Sequence, residues 1–221
     1  MLEPYQAVWC ILTAVVYKTK KDLIKTLIRP TDTVLDVGFY GQGIQEGDEN
    51  WPHKLLKTHA SKVYGVDLEL PDKYLDDPYY LKASAENFTF QESFDVIFAG
   101  DLIEHLSNPG LFLSSVHRHL KPGGRLILTT PNTFNLFNIA GKLANNEPAT
   151  NSDHTFYFNS KVLKKLLEKN DMLVEEVSFL YDLGYTYKES SKKKLLNILY
   201  KLLSIFTDKF VETLVIVARA R

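Results

Sequence analysis

The sequence predicts an α/β fold: a seven-stranded, mainly parallel sheet with helices on both faces and an antiparallel last strand. Three observations predict it. Short runs rich in β-branched and aromatic residues alternate with helical stretches, as buried strands and their connections do. The helical stretches are long enough for right-handed crossovers, which parallel neighbours require. The rhythm then breaks near the C-terminus, where two strand-like runs flank a lysine-rich helix, so the final strand can insert antiparallel.

The elements follow in order. A helical segment from about Tyr5 to Ile28 precedes Pro30, within a stretch 1–30 that stands before the sheet. "TVLDV" (33–37), "KVYGVD" (62–67), "YYLKA" (79–83), "FDVIFA" (94–99) and "RLILTT" (125–130) supply five strands. "WPHKLLKTHA" and "PGLFLSSVHRHL" are helical; Asn108 can cap the second, with Pro109 at its first position. Gly123-Gly124 turns the chain after that helix. "MLVEEVSFL" and "ETLVIVARA" are the last two strands, separated by a helix over roughly Lys192 to Thr207. Two stretches, 132–159 and 182–208, lack a regular slot, and their aromatic content suits caps or lids of one domain spanning 1–221.

Composition narrows the function. The formal charge of -1, from 26 basic and 27 acidic residues, gives no footprint for a nucleic acid. One cysteine, Cys10, permits neither an intramolecular disulfide nor a cysteine zinc cluster, and this suits a reducing, cytoplasmic setting. The apolar run Ala7 to Tyr17 is too short to cross a bilayer, and the residues before it lack the positive start of a secretory signal. The sequon at Asn87 is then ordinary chain. No ligand spacing signals a metal, although dispersed carboxylates leave one open.

The stretch "TVLDVGFYGQG" carries the chemistry. It ends a strand, where open parallel sheets bind ligands, and places Asp36 ahead of Gly38, Gly41 and Gly43. A nicotinamide loop would read G-x-G-x-x-G and a phosphate loop would continue into Lys-Ser or Lys-Thr; this loop does neither. Small residues led by a carboxylate suit a nucleoside with a cationic amino-acid tail. Asp67, ending the second strand, can accept from ribose hydroxyls, or simply cap a turn.

These blocks resemble the class I S-adenosylmethionine-dependent methyltransferases, over about Thr33 to Arg219. "VLDVGFYGQG" resembles the family's first motif, "VYGVDL" the second-strand motif, "KASAENFTF" the loop flanking the adenine, and "SFDVIFAGDLIEHLSNP" the fourth-strand motif. "LFLSSVHRHLKPGGRLILTTPN" resembles the small-molecule enzymes related to quinone synthesis, while "GDENWPHKLL" and "EHLSNPGLFL" resemble members associated with surface-glycan clusters. The resemblance implies a Rossmann-like sheet and S-adenosylmethionine held by Asp36, Gly38, Phe39, Gly41, Gly43, Asp67, Leu68, Ser84, Ala85, Glu86 and Asp101. It also implies a small-molecule or glycan-related acceptor, and the basic amphipathic helix near Lys192 leaves a lipid-linked one open. This chain departs from D-x-G-x-G-x-G with D-V-G-F-Y-G-Q-G, and it has Ser84 where an acidic residue is common.

Methyl transfer from a sulfonium is an in-line displacement that orientation can largely supply, with a general base useful for a hydroxyl acceptor. His105 in "LIEHL" and His154 in "SDHTFYF" are the candidate bases, each equally a packed structural histidine. His53 and Trp51 either line the acceptor site or pack a helix start. His117 and His119, two apart on a helix, face different ways. Phe134, Phe137, Phe156, Tyr157 and Phe158 can build an apolar acceptor pocket or a cap core. Leu195, Leu199, Leu202 and Phe206 share a helix face with a basic start, which suits packing on the sheet or peripheral membrane contact. A cofactor-binding module without catalysis stands as the alternative; a nucleic-acid methyltransferase is disfavoured because the chain reads "AGDL" after the fourth strand, and a nicotinamide oxidoreductase by the glycine spacing.

Overall fold

The computed structural model describes residues 15–41, 47–143, 151–181 and 210–221, and of residue 137 the backbone alone. It contains β1 (Val16–Tyr17), α1 (Lys20–Leu27), β2 (Thr33–Val37), α2 (Pro52–His59), β3 (Lys62–Asp67), β4 (Tyr80–Lys82), β5 (Phe94–Gly100), α3 (Pro109–His119), β6 (Leu120–Pro131), α4 (Leu136–Leu143), α5 (Ser160–Lys169), β7 (Met172–Leu180) and β8 (Thr213–Ala220). The strands form one sheet in the order β1-β7-β8-β6-β5-β2-β3-β4. β2 to β6 pair in parallel, and β8 runs antiparallel between β6 and β7.

The alternation along each strand explains the two layers. Val34, Val63, Val96, Phe98, Ile127, Val215 and Val217 point to one face, where they meet Leu23, Ile24 and Leu27 of α1 and Leu55 and Leu56 of α2. Their neighbours Leu35, Ile97, Ala99, Leu126, Leu128 and Ile216 point to the other, against Phe112, Leu113 and Val116 of α3 and Leu163 and Leu167 of α5. Both faces are covered, so the central strands need apolar residues at every position rather than at alternate ones. Each large side chain so buried contributes roughly 1.5–3 kcal/mol.

Local signals set the helix starts. Asn108 Oδ1 accepts from Leu111 N–H (3.2 Å) ahead of Pro109, as the sequence predicts. Thr19 caps α1 by accepting from Asp22 N–H (3.0 Å), and Asn159 caps α5 through Lys161 and Val162 N–H.

The sheet has eight strands rather than seven. The added strand, β1, lies inside the stretch predicted as one helix from Tyr5 to Ile28. The exposed edge of β7 decides this: Phe179 and Tyr181 N–H groups donate to the carbonyls of Val15 and Tyr17 (3.0 and 2.9 Å), and the chain turns helical only after Thr19. Residues 1–14, the predicted helix over Lys192 to Thr207 and the cap 182–208 lie outside the described residues. The other irregular stretch, 132–159, contains α4 and returns to the end of β6 through a parallel bridge between Asn132 and Phe158. Gly123-Gly124 fall within β6, beside a register shift opposite Phe94 and Val96.

Beneath the first loop, Phe39, Trp51, Tyr74 and Tyr80 form an aromatic cluster on β3. It requires a bare backbone at Gly65, where a Cβ would stand 2.6 Å from Phe39 Cε1 and 2.9 Å from Tyr80 Cδ1. Gly65→Ala is expected to destabilise the fold by about 1–3 kcal/mol through overpacking, read as a lowered denaturant midpoint at constant slope; an unchanged midpoint contradicts the packing described.

Candidate functional site

The strand order reverses between β2 and β5, and the loops leaving β2, β3 and β5 converge on the crevice outside their carboxyl ends. Gly38 and Gly41 take φ of +74° and +82°, a region that residues with a Cβ avoid. Gly38 is also hemmed in, since a Cβ there would lie 2.8 Å from Leu102 Cδ1 on the loop after β5. At Gly38 and Gly41 the described part of the loop is therefore bare backbone. Residues 42–46, including predicted Gly43, lie outside the described residues.

Asp67 holds this loop. Its Oδ2 accepts from Tyr40 N–H (2.9 Å) and its Oδ1 from Glu69 N–H (2.9 Å), so it caps the turn, and each carboxylate oxygen has capacity for a further hydrogen bond. Burial raises its pKa, opposed by those two N–H groups and assisted by the nearby charge of Asp36. Leu68 beside it is exposed, a flat apolar surface next to the carboxylate.

Asp36 faces inward. Its Oδ2 lies 3.0 Å from His53 Nδ1, His53 Nε2 lies 3.0 Å from the Tyr80 hydroxyl, and Lys57 donates to that hydroxyl (3.1 Å). With Lys57 donating, the Tyr80 proton can go to Nε2 and the Nδ1 proton to Asp36, a chain of donors ending on the carboxylate. Burial raises the Asp36 pKa, and His53 opposes the rise. His53 is therefore interior packing beneath the loop rather than an acceptor contact, and Trp51 likewise, its indole donating to Phe39 O (2.8 Å). The Phe39 side chain lies in this cluster, and its carbonyl is the one the Trp51 indole engages.

The 84–87 turn is built by the Ser84 hydroxyl accepting from Glu86 N–H (3.1 Å) and by Asn87 N–H donating to Ser84 O. Ala85 is buried, and the Glu86 carboxylate accepts from Asn108 N–H at the start of α3 (2.7 Å), tying the turn to that helix.

After β5, Asp101 turns the chain at φ +50°, held by its N–H to Thr129 O (3.0 Å) and by Lys20 Nζ on its Oδ2 (3.0 Å). Burial alone would raise this carboxyl, but Lys20, the Thr129 hydroxyl and His105 together carry it below its usual value. Glu104, three residues on, is 1% exposed. Its Oε2 accepts from the Thr130 hydroxyl (2.8 Å), whereas Oε1 has no hydrogen-bond partner among the described residues. Burial, followed by the charge of Asp101, pushes its pKa up to about 8.

His105 and His154, predicted separately, come together with ring centroids 4.6 Å apart. The contact is fixed by backbone: Thr155 and Phe156 N–H donate to Glu104 O (2.8 and 3.2 Å), and the Thr155 hydroxyl reaches Glu104 O and Leu106 O. Burial and the adjacent His105 lower the His154 pKa, so its ring tends to the neutral form with a free lone pair. Among the predicted aromatics, Phe158 is in the core, while Phe134, Phe156 and Tyr157 remain exposed and the Phe137 side chain lies outside the described set. His119 is structural, its Nδ1 bonded to Ser115 O and its Nε2 accepting from Phe90 N–H.

Sequence reasoning missed Glu104 and Lys20. Glu104 had one signal, its place three residues after Asp101 and next to His105; Lys20 had none, being 81 residues from the carboxylate it meets.

Glu104 makes stability depend on pH. A carboxyl raised to about 8 stays protonated in the fold while the unfolded chain releases its proton near the ordinary glutamate value of 4.5, so stability falls as pH rises between those values and levels off above. Glu104→Gln is expected to flatten that fall and to raise stability near pH 8 by a few kcal/mol at most, an order-of-magnitude figure, as read by denaturation across pH 4–9. An unaltered slope would contradict the assignment.

A family profile described as a methyltransferase domain matches residues 15–177. The rat mitochondrial ubiquinone biosynthesis O-methyltransferase is 32% identical over 92 residues, 39% of this chain and 27% of that protein. Phosphoethanolamine N-methyltransferase 2 of Caenorhabditis elegans is 30% identical over 105 residues, 46% and 24%. The matched stretches thus span about a quarter of these relatives' length. The crystal structure of the Burkholderia thailandensis 1,6-didemethyltoxoflavin-N1-methyltransferase, with bound 1,6-didemethyltoxoflavin and S-adenosylhomocysteine, superposes with a TM-score of 0.53 at 18% identity, covering 91% of this chain and 76% of that one. The reversed strand order, the paired glycine turns at the crevice and the profile over most of the chain agree: this chain belongs to the methyltransferase-domain family and has the Rossmann-like fold of the class I S-adenosylmethionine-dependent methyltransferases.

Proposed function

We propose that the chain transfers a methyl group from S-adenosylmethionine to an oxygen of a small-molecule acceptor. The observation that carries this reading is the convergence of His105 and His154 beside Asp101, next to a glycine crevice shaped for a nucleoside. The residues present fit that cofactor. Gly38 and Gly41 open the backbone to it, Asp67 offers the ribose two acceptor oxygens, Leu68 and Ala85 offer apolar surface for the base, and Asp101 stands where the amino-acid portion or the reacting end is lined. When bound, it supplies a methyl carbon activated by a positively charged sulfur.

The chain's own residues then orient the acceptor and receive its proton. His154 suits the second task, because burial and His105 lower its pKa and so favour the neutral ring that can accept a proton. Lys20 neutralises Asp101, so the nearest carboxylate does not repel an acceptor oxygen as it gains charge. Phe134, Phe156 and Tyr157 are exposed aromatics on the segment that carries His154 and its neighbour, suited to a ring-bearing or lipid-linked acceptor.

Two measurements test this. Calorimetry with S-adenosylhomocysteine is expected to show binding that Asp67→Ala weakens by about 1–3 kcal/mol in a folded variant, through loss of charged hydrogen bonds; undiminished affinity removes Asp67 from the ribose. Turnover with a panel of hydroxylated acceptors is expected to drop roughly 10²-fold in His154→Ala with S-adenosylhomocysteine affinity unchanged. Cofactor binding with no acceptor methylated would favour a binding module instead.

A further inference from the structure

The pair of histidines does not stand alone. One carboxylate oxygen of Glu104 and one ring nitrogen from each of His105 and His154 lie within 4.8 Å of one another. Carboxylate and two imidazoles are a donor set that borderline first-row cations favour, and three protein ligands leave a coordination position open for a substrate oxygen. Bonds of about 2.0–2.2 Å place neighbouring donors about 3–4 Å apart, so donors already within 4.8 Å of one another need only a small approach to share one ion.

Two further observations point to a ligand. Glu104 Oε1 is fully buried and has no hydrogen-bond partner among the described residues, a state that costs roughly 1–3 kcal/mol in the absence of a ligand. The supports of a metal site are also present around it. Thr130 orients the other Glu104 oxygen, while three hydrogen bonds from Thr155 and Phe156 to Glu104 O fix the segment carrying His154 against the one carrying Glu104 and His105. Of the other acids close by, Asp101 is already engaged by Lys20 and Thr129, and neither it nor Asp153, which adjoins His154, is part of the set.

We propose that Glu104, His105 and His154 form a three-ligand site for a divalent first-row cation on the acceptor side of the crevice. The site itself stands on geometry; its use rests on the methyl-transfer reading above. An acceptor hydroxyl at the open position loses its proton to water more readily, because the cation stabilises the oxyanion. The oxygen lone pair forms the new bond to the methyl carbon as the carbon–sulfur bond breaks, and that electron pair returns to sulfur as a neutral thioether. In this arrangement the histidine nitrogens act as ligands and are not needed as bases.

The test uses the full chain stripped with chelator, without cofactor or acceptor. Zn²⁺ titrated by calorimetry is expected to bind at one site per chain, and Co²⁺ to give visible ligand-field absorption characteristic of nitrogen and oxygen donors. Glu104→Gln and His154→Ala are each expected to weaken Zn²⁺ at least about tenfold, as loss of a ligand must exceed loss of its orienting partner, and to abolish the Co²⁺ bands. His117→Ala, distant from the set, is expected to leave both unchanged. Sub-stoichiometric Zn²⁺, or affinity indifferent to Glu104→Gln and His154→Ala in variants that remain folded by circular dichroism, overturns the proposal. S-adenosylhomocysteine is titrated into the same samples: its binding without Zn²⁺ uptake defeats the cation site and leaves the histidine-base reading, whereas Zn²⁺ uptake without its binding upholds the cation site and defeats the methyl-transfer reading.

Discussion

The architecture of the site turns on Asp101. A non-glycine residue at φ +50° carries a backbone cost of about 1–2 kcal/mol, and it persists here because the fold overdetermines it. Its N–H is taken by Thr129 of the neighbouring strand, and its carboxylate by the Thr129 hydroxyl and by Lys20. From that one turn the chain is thrown across the top of the sheet. Leu102 lands against Gly38, Ile103 drops into the core, and Glu104 is pressed under the segment that carries His154. The two halves of the crevice, glycine loop and histidine pair, are thereby locked to a common support.

Four acidic residues cluster at the tips of three adjacent strands, and their environments separate them into different roles. Asp36 is sealed inside by His53 and acts on the loop from below; Asp67 is held by backbone N–H groups and keeps capacity for further hydrogen bonds. Asp101 is held ionised by a lysine, and Glu104 is held neutral by burial and by Asp101 itself. Like charges placed this close cannot all ionise in a low-dielectric site, so the partners decide which do. A bound cation at Glu104 would shift this balance by supplying the positive charge that burial withholds.

The covering elements act in the same direction. The aromatic cluster of Phe39, Trp51, Tyr74 and Tyr80 stiffens the first loop from the side away from the crevice, and the bare backbone of Gly65 lets it lie close. Hydrogen bonds from Thr155 stiffen the opposite wall. Rigid walls around a reactive centre favour reactions governed by orientation, which is what an in-line displacement requires.

The sequence by itself determined the sheet core, the capped helix at Asn108, the glycine loop and the strand-end acids, because each is written in local period, turn chemistry or residue spacing. The resemblance in the "VLDVGFYGQG" and "SFDVIFAGDLIEHLSNP" blocks was legible for the same reason: contiguous residues build those walls. Tertiary structure alone decided that Val16 and Tyr17 extend the edge of β7 instead of continuing a helix, that Lys20 meets Asp101, and that His53 lies inside against Asp36. It alone also brought His154 to His105 and Glu104, across 49 and 50 positions of chain. Edge pairing, burial and charge partnership depend on which distant segments share a strand tip, and no local pattern of residues encodes that distance.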